Sequence, residues 1–292
     1  MSEVTQLPHT DVSVFSTISQ VRQRVIPVGL RRAVVLTMGA LHEGHQALMR
    51  AATANGDVDL AVSIFVNPLQ FNNVTDLDTY PKSLESDLRL CAQSGVQAVF
   101  VPSVYEMYPH GAQAEPKVTA GPLGDILEGA SRPKHFDGVL TVVNKLINIL
   151  EPDVMYFGEK DYQQLLLIKR MVAAFDLPVE IVGVPTVRDS DGLAKSSRNV
   201  RLSAQARAHA THLYASLLLA KHAWQEGTSS TQVEHLMREY LSTQAGIDID
   251  YVAVRNDDLQ KPQVTESARA LVAAHIGGVR LIDNLDLGKG GL

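Results

Sequence analysis

The chain has 292 residues, of which 45% are hydrophobic and 20% charged, and its 26 basic and 32 acidic residues give a formal net charge of −6. This composition is typical of a folded protein of about two domains and excludes a disordered chain, while the acidic balance argues against a nucleic-acid-binding surface. The single cysteine, Cys91, cannot form an internal disulfide. The opening MSEVTQLPHTD lacks the basic and apolar regions of a signal peptide, so we expect none there. We therefore predict a cytoplasmic protein without a membrane span.

The first 184 residues alternate between short apolar runs and longer runs with helical periodicity. The apolar runs predict strands at 33–37, 59–66, 97–102, 153–157 and 179–184, and the periodic runs predict helices at 45–54, 83–95, 138–150 and 161–175. Strands that alternate with helices predict an α/β fold with a Rossmann-like parallel sheet. Ligands of such sheets bind beyond the carboxyl ends of the strands, so we expect the site just after Thr37, Val66, Val101 and Phe157.

The pattern changes after about Pro185. Two helical runs, at 203–225 and 229–243, precede three strand-like segments that have no helix between them. Consecutive strands without crossovers predict an antiparallel sheet. We therefore predict two domains: a Rossmann-like domain at 1–184 and a smaller α+β C-terminal domain at 185–292.

The segment TMGALHEGH follows the first strand of the predicted parallel sheet. Gly39 and Gly44 allow the backbone to approach a ligand, and the N–H groups that open the next helix can bind phosphate. His42 and His45 are three residues apart, so both rings can lie on one side of a helical turn and stabilise charge on a phosphate. There are two alternatives. The histidines could form a zinc site, although the segment HEGH lacks the HExxH spacing, or they could be two incidental surface residues.

Two further segments contain groups that suit a polyphosphate. In GEKDYQQ, Gly158 permits a tight turn and Lys160 can reach a phosphate, although Asp161 and Gln164 also match a capping box. In DGLAKSSRN, two serines stand between Lys195 and Arg198 at the start of the second domain, where a mobile flap over a nucleotide would be placed. A solvated loop is the alternative for this second segment.

Other polar residues offer weaker signals. Asn67 and Gln70 follow a strand, and neutral amides there suit a hydroxy acid. Asp87 could help to hold Mg²⁺, although a solvated helical carboxylate is commoner. The basic residues of SRPKHFDGV form either an anion-attracting loop or an ordinary turn. Neither a P-loop nor a GxGxxG pattern follows a predicted strand, which argues against a P-loop kinase or a dehydrogenase.

Taken together, the segments resemble those of the pantoate–β-alanine ligase family. The resemblance runs through TMGALHEGH, SIFVNPLQF, DLDTYPKSLESDL, LEGASRPKHFDGV, PDVMYFGEKDYQQL, VEIVGVPTVRDSDGLAKSSRNVRLS and VRLIDN, in this order. It implies ATP-dependent condensation of (R)-pantoate with β-alanine through a pantoyl adenylate, which yields pantothenate, AMP and pyrophosphate. It also implies Mg-ATP as co-substrate, no organic prosthetic group, a C-terminal lid domain and a homodimer. An RNA ligase similar to the aminoacyl-tRNA synthetases and a non-catalytic nucleotide-binding module are the alternatives.

The resemblance further implies roles for individual residues. His45 would be the proton donor, with His42 and Lys160 beside it as catalytic residues. Pantoate would contact Thr37, Asn67, Gln70 and Gln164, and β-alanine would contact Gln70. ATP would contact Met38, Gly39, Ala40, Leu41, His42, Glu43, Gly44, His45, Gly158, Glu159, Lys160, Asp161, Val187, Lys195, Ser196, Ser197 and Arg198. The chain departs from the family at Leu36, where proline is usual, and at Lys195, where an apolar residue is usual.

Overall fold

A computed structural model describes residues 5–6, 12–54, 56–72, 77, 80 and 83–291 of the chain. Apart from Thr5–Gln6, the opening MSEVTQLPHTD lies outside these residues, as does part of DLDTYPKSLESDL. The chain forms two compact units, Met1–Glu159 with Gln164–Pro185 and Lys160–Gln163 with Thr186–Leu292. The placement of Lys160–Gln163 in the second unit differs from the domain bounds that we predicted.

A seven-stranded sheet forms the centre of the first unit, in the order β1-β2-β5-β4-β3-β6-β7. All neighbouring strands are parallel except β1 and β2, which are antiparallel. The Rossmann-like prediction is therefore confirmed, and two short N-terminal strands are added to it. The strands are β1 Thr5–Gln6, β2 Ser13–Phe15, β3 Arg31–Thr37, β4 Val58–Ile64, β5 Ala98–Phe100, β6 Val154–Gly158 and β7 Glu180–Val184.

The order of the strands reverses at β3. From β3 the chain proceeds through β4 to β5 on one side, whereas β6 and β7 lie on the other side. Strands β3 and β6 are neighbours, with Val35 opposite Tyr156, and they end at Thr37 and Gly158. A crevice outside the carboxyl ends of the strands, at such a reversal, is where open α/β sheets bind their ligands. The segments MGALHEGH and GEKD begin at this position.

Helices cover both faces of this sheet. Val34 and Val35, adjacent in β3, are fully buried in separate clusters because successive strand residues point to opposite faces. Val34 packs in a cluster with Leu140 of the helix His135–Leu150, and Val35 packs in one with Met49 of the helix Glu43–Ala54. The helices are α1 Ile18–Arg22, α2 Glu43–Ala54, α3 Leu84–Gln93, α4 Val104–Met107, α5 Glu128–Ser131, α6 His135–Leu150 and α7 Tyr162–Ala174. Helix α7 begins in the Lys160–Gln163 segment of the second unit.

The second unit is built from two helices and a small sheet. The helices α8 Ala204–Gln225 and α9 Ser230–Ser242 precede the strands β8 Ile247–Arg255, β9 Ser267–Ile276 and β10 Val279–Lys289. The strands pair antiparallel in the order β10-β9-β8, which confirms the predicted antiparallel sheet. Trp224 of α8, Met237 of α9 and Val272 of β9 are fully buried in its core. None of the described helices has the length and apolar character needed to cross a membrane.

Candidate functional site

The loop between β3 and α2 has an unusual backbone. Gly39 and Ala40 both adopt positive φ angles, of 86° and 52°. The left-handed conformation is routine for glycine but costs an alanine roughly 1–2 kcal/mol. A side chain at Gly39 would also place its Cβ 3.1 Å from Oδ2 of Asp87. This conformation turns two successive backbone N–H groups towards that carboxylate.

The carboxylate of Asp87, in α3, binds the backbone of this loop. Its side chain is buried, with Oδ2 3.0 Å from the nitrogen of Ala40 and Oδ1 2.8 Å from that of Leu41. The hydroxyl of Ser83 donates a third hydrogen bond over 3.2 Å. The described residues contain no group of three His, Cys, Asp or Glu side chains that could hold a metal ion. Both oxygens of Asp87 therefore accept hydrogen bonds from the protein, a geometry that favours support of the loop over the role in holding Mg²⁺ that the sequence suggested.

His42, the last residue of the loop, and His45, in the first turn of α2, lie side by side. Their ring centroids are 4.2 Å apart, with an angle of 47° between the ring planes. The nitrogen of His42 donates to Nδ1 of His45 over 3.2 Å, and the nitrogen of Gly44 donates to Nδ1 of His42 over 3.1 Å. Since each Nδ1 is an acceptor, each neutral ring carries its proton on Nε2. The start of α2 thus has two imidazole N–H donors in addition to its backbone N–H groups, which suits an anion.

Asn67 and Gln70 belong to the turn that follows β4. Asn67 is buried at the start of the 3₁₀ turn Pro68–Gln70, and its side chain accepts a hydrogen bond from the nitrogen of Leu69. Gln70 is half-buried, and its Nε2 lies 2.8 Å from Sδ of Met38. The amide of Gln70, which we predicted at this edge of the sheet, therefore contacts Met38, the first residue of the loop between β3 and α2.

The basic segment SRPKHFDGV, whose role the sequence left open, contacts the same turn. Arg132 Nη2 and His135 Nδ1 lie 3.2 and 2.8 Å from the carbonyl oxygen of Gln70. Thr37, at the end of β3, supports the loop between β3 and α2. Its hydroxyl donates to the carbonyl of Ser63 over 2.9 Å and accepts from the nitrogen of Gly39 over 3.2 Å. These groups hold the backbone around the candidate site in place.

The segment around Lys160 is bound by strands of the second unit. Asn284 Nδ2 donates to the carbonyl of Lys160 over 2.8 Å, and Arg269 Nη1 donates to Oδ1 of the same asparagine over 2.6 Å. The Arg269 guanidinium also lies 4.1 Å from the ring centroid of Tyr162. These contacts explain why Lys160–Gln163 groups with the second unit although Gly158 and Glu159 belong to the first.

The segment containing Lys195 to Arg198 lies beside a small charge cluster. The nitrogen of Lys195 donates to the carbonyl of Val187 over 2.9 Å, which joins two predicted ATP contacts. The Lys195 ammonium pairs with Asp189, and Arg207 pairs with the same carboxylate over 2.8 Å. Hydrogen bonds from Lys195 and Arg207 lower the pKa of Asp189. The cation that departs from the family pattern therefore has a carboxylate partner inside this unit.

The predicted site residues thus fall into two sets, one in each unit. The first unit holds Thr37, Met38–His45, Asn67, Gln70, Gly158, Glu159 and Gln164, and the second holds Lys160, Asp161, Val187 and Lys195–Arg198. Direct contacts link Gln70 to Met38 and Asp87 to Ala40 and Leu41. Ligand contacts at these positions remain predictions. The support of the site by Asp87, Arg132 and His135 was missed because no local spacing indicates which distant backbone groups they bind.

Comparison with known proteins agrees with this geometry. The model of the family described as pantoate-beta-alanine ligase matches residues 13–286. The chain is 47% identical to the pantothenate synthetase of Mycolicibacterium smegmatis, over 96% of this chain and 89% of the relative, and 49% identical to that of Nocardioides sp., over 98% and 86%.

Solved structures show the same relationship. A pantothenate synthetase from Thermus thermophilus superposes with a TM-score of 0.87 at 42% identity, covering 94% of this chain and 99% of that one. A pantoate-beta-alanine ligase from Francisella tularensis, complexed with beta-gamma ATP and beta-alanine, superposes with a TM-score of 0.77 at 36% identity, covering 94% and 97%. The chain belongs to the pantoate–β-alanine ligase family.

Proposed function

We propose that this protein condenses pantoate with β-alanine at the expense of ATP, which becomes AMP and pyrophosphate. The contact between Gln70 and Met38 carries the proposal, because it places an amide suited to a hydroxy acid against a loop suited to phosphate. Family membership supports the same reaction, and the Francisella relative is complexed with both an ATP species and β-alanine. The substrates are therefore pantoate, β-alanine and Mg-ATP.

In the first step, an oxygen of the pantoate carboxylate attacks the α-phosphorus of ATP. The bond to the β-phosphate oxygen breaks, and pyrophosphate leaves with that electron pair. A transfer of this kind needs positioning and charge stabilisation more than a protein nucleophile. The Nε2–H groups of His42 and His45, together with the start of α2, supply donors for the developing negative charge. Lys160, Ser196, Ser197 and Arg198 have the charge and hydroxyl groups to bind the leaving pyrophosphate.

In the second step, the amine of β-alanine attacks the acyl carbon of pantoyl adenylate. The carbon–oxygen bond to AMP breaks, the amide bond forms, and the nitrogen loses a proton. Gln70 is suited to hold the substrates during this step because its backbone carbonyl is itself bound by Arg132 and His135. The adenylate is prone to hydrolysis, so we expect water to be excluded from it.

Four further features of the proposal come from the sequence and its resemblance to the family. Mg²⁺ enters with ATP as part of the substrate, and we assign no resident metal ligand in the chain. A homodimer and a lid role for the second unit follow from the resemblance to the family. Cytoplasmic location follows from the composition and the lone cysteine.

Pyrophosphate–ATP exchange tests the proposed reaction. We expect exchange that requires pantoate and persists without β-alanine, because the adenylate forms before the amine attacks. Exchange that instead requires an amino acid would indicate an enzyme similar to the tRNA synthetases. Absence of exchange with every acid tested would indicate a nucleotide-binding module and would contradict the proposal.

A further inference from the structure

The amide of Asn67 has only one orientation that satisfies its surroundings. Its Oδ1 accepts a hydrogen bond from the backbone nitrogen of Leu69 over 3.3 Å, and its Nδ2 donates to the carbonyl of Gly138 over 3.0 Å. A backbone N–H can only donate and a carbonyl can only accept, so these two contacts distinguish the oxygen from the nitrogen. The side chain is 1% exposed, which leaves water no room to compensate for a reversed amide.

Tyr108 adds a third contact to this amide. Its hydroxyl donates to Oδ1 of Asn67 over 2.9 Å, although the two residues are 41 positions apart. The tyrosine is 2% exposed, and its ring lies 6.1 Å from that of Phe65. Burial raises the pKa of Tyr108, so the hydroxyl keeps its proton and remains a donor.

The orientation of Asn67 is passed on to Gln70. Asn67 Nδ2 donates to Oε1 of Gln70 over 3.2 Å, and Gln70 Nε2 then lies 2.8 Å from Sδ of Met38. Because the oxygen of the Gln70 amide is engaged by Asn67, its NH₂ group is the part available to a ligand. Thioether sulfur is a weak acceptor, so an oxygen acceptor of a substrate would compete well for these protons.

We infer that Tyr108 is a positioning residue for substrate binding, which acts through Asn67 to make Gln70 a hydrogen-bond donor. The inference rests on the proposed function, in which Gln70 binds pantoate. The matching group on the ligand is a carboxylate or hydroxyl oxygen, and pantoate has both. Without the Tyr108 hydroxyl, the Asn67 oxygen loses a partner and the amide pair is less firmly held in this orientation.

The first test is Tyr108→Phe, which removes only the hydroxyl. We expect the KM for pantoate in the exchange assay to rise roughly threefold to tenfold, which corresponds to the loss of one hydrogen bond. The KM for ATP should stay within about twofold of the wild-type value. Tyr240→Phe is a matched control, because its hydroxyl is bonded to His212 over 2.8 Å in the second unit. Equal effects on both Michaelis constants, or an unchanged KM for pantoate, would overturn the inference.

A double-mutant cycle tests whether Tyr108 acts through Gln70. In the Gln70→Ala background, we expect Tyr108→Phe to cause no further rise in the KM for pantoate, since the group that it positions is gone. Provided that wild-type exchange requires pantoate, the same fold increase in the KM for pantoate in both backgrounds would overturn the inference. Loss of the pantoate requirement in the wild type would instead overturn the proposed function.

A second variant tests the link between Asn67 and Gln70, with the KM for ATP as the check that the enzyme is folded. Asn67→Asp replaces Nδ2 with an oxygen, which repels Oε1 of Gln70 and favours rotation of that amide. We expect a larger rise in the KM for pantoate than in Tyr108→Phe, with the KM for ATP again nearly constant. A KM for pantoate that stays at the wild-type value in this variant would contradict the proposed orientation.

Discussion

Oδ1 of Asp87 lies 2.8 Å from the backbone nitrogen of Leu41, although the two residues are 46 positions apart in the chain. The other oxygen of this buried carboxylate binds the nitrogen of Ala40, whose positive φ angle of 52° is unfavourable for alanine. The two hydrogen bonds offset this backbone cost. They also fix the path of the loop between β3 and α2 where it leaves the sheet. We therefore expect Asp87 to support ATP binding indirectly, by holding the backbone of the loop between β3 and α2.

Asp87→Asn tests this assignment. One amide oxygen replaces two acceptors, so one backbone N–H loses its partner and faces an NH₂ group. We expect a loss of stability of about 1–3 kcal/mol and a fall in pantoate-dependent exchange of roughly tenfold or more. Thermal unfolding and exchange kinetics measure the two effects.

The Mg²⁺ dependence of the same variant separates loop support from metal binding. With loop support alone, the Mg²⁺ concentration for half-maximal exchange should match that of the wild type. A large increase in that concentration would restore Asp87 as a metal ligand. Glu85→Gln on the exposed side of α3 is the matched control, and we expect it to change neither property.

His45→Ala is expected to abolish most adenylation while the fold remains intact. In other enzymes, removal of one hydrogen-bond donor to a developing negative charge lowers the rate roughly 10²–10³-fold. We also expect His45→Gln to retain more exchange than His45→Asn, because glutamine extends its amide nitrogen nearer to the place of Nε2. Exchange kinetics with a circular dichroism control check both statements, and an unchanged rate in His45→Ala would remove this residue from the mechanism.

Gly138→Ala tests how closely α6 must approach the substrate turn. A Cβ at this position would lie 2.2 Å from the carbonyl oxygen of Leu69 and 2.8 Å from the nitrogen of Gln70. We expect the turn to be displaced, with a loss of about 1–3 kcal/mol in stability and a higher KM for pantoate. Asn148→Ala, on the exposed side of the same helix, should change neither quantity appreciably. A fully active Gly138→Ala enzyme would show that the turn tolerates the shift.

The ion pairs of Asp189 predict a pH-dependent stability. Its pKa is lowered in the folded protein by hydrogen bonds from Lys195 and Arg207, so its contribution is complete above the unfolded pKa of about 4 and disappears as the pH falls through the folded value. Asp189→Asn should therefore destabilise the protein at neutral pH, by up to about 1 kcal/mol, and have no effect in strong acid. Thermal unfolding from pH 7 to pH 2.5 checks the sign.

Asp248→Asn, an exposed change on β8, is the control for this titration. We expect the difference between wild type and Asp189→Asn to shrink as the pH falls, and a difference that grew towards acid would contradict the ion-pair assignment. Lys195→Met should reproduce only part of this pH dependence, because Arg207 still pairs with Asp189, and should change the KM for ATP only slightly.

The sequence by itself determined the longer secondary-structure elements and the order in which they occur. Apolar runs such as 33–37 form strands, and the periodic run at 138–150 forms most of α6, because burial of one face or stripe depends on local spacing. It also indicated that His42 and His45 lie together, since both are within one turn. The strand Ser13–Phe15 was not predicted, because three residues are too few to show a period.

Only the tertiary structure decided which distant groups support these elements. The contacts of Asp87 with Leu41 and of Tyr108 with Asn67 join positions 46 and 41 residues apart, and the attachment of Lys160 to Asn284 spans 124 residues. Such pairs depend on how helices pack on a sheet and how strands are ordered, and hydrophobic periodicity carries no information on either. A buried carboxylate or hydroxyl must find a partner, but which partner it finds is settled by packing.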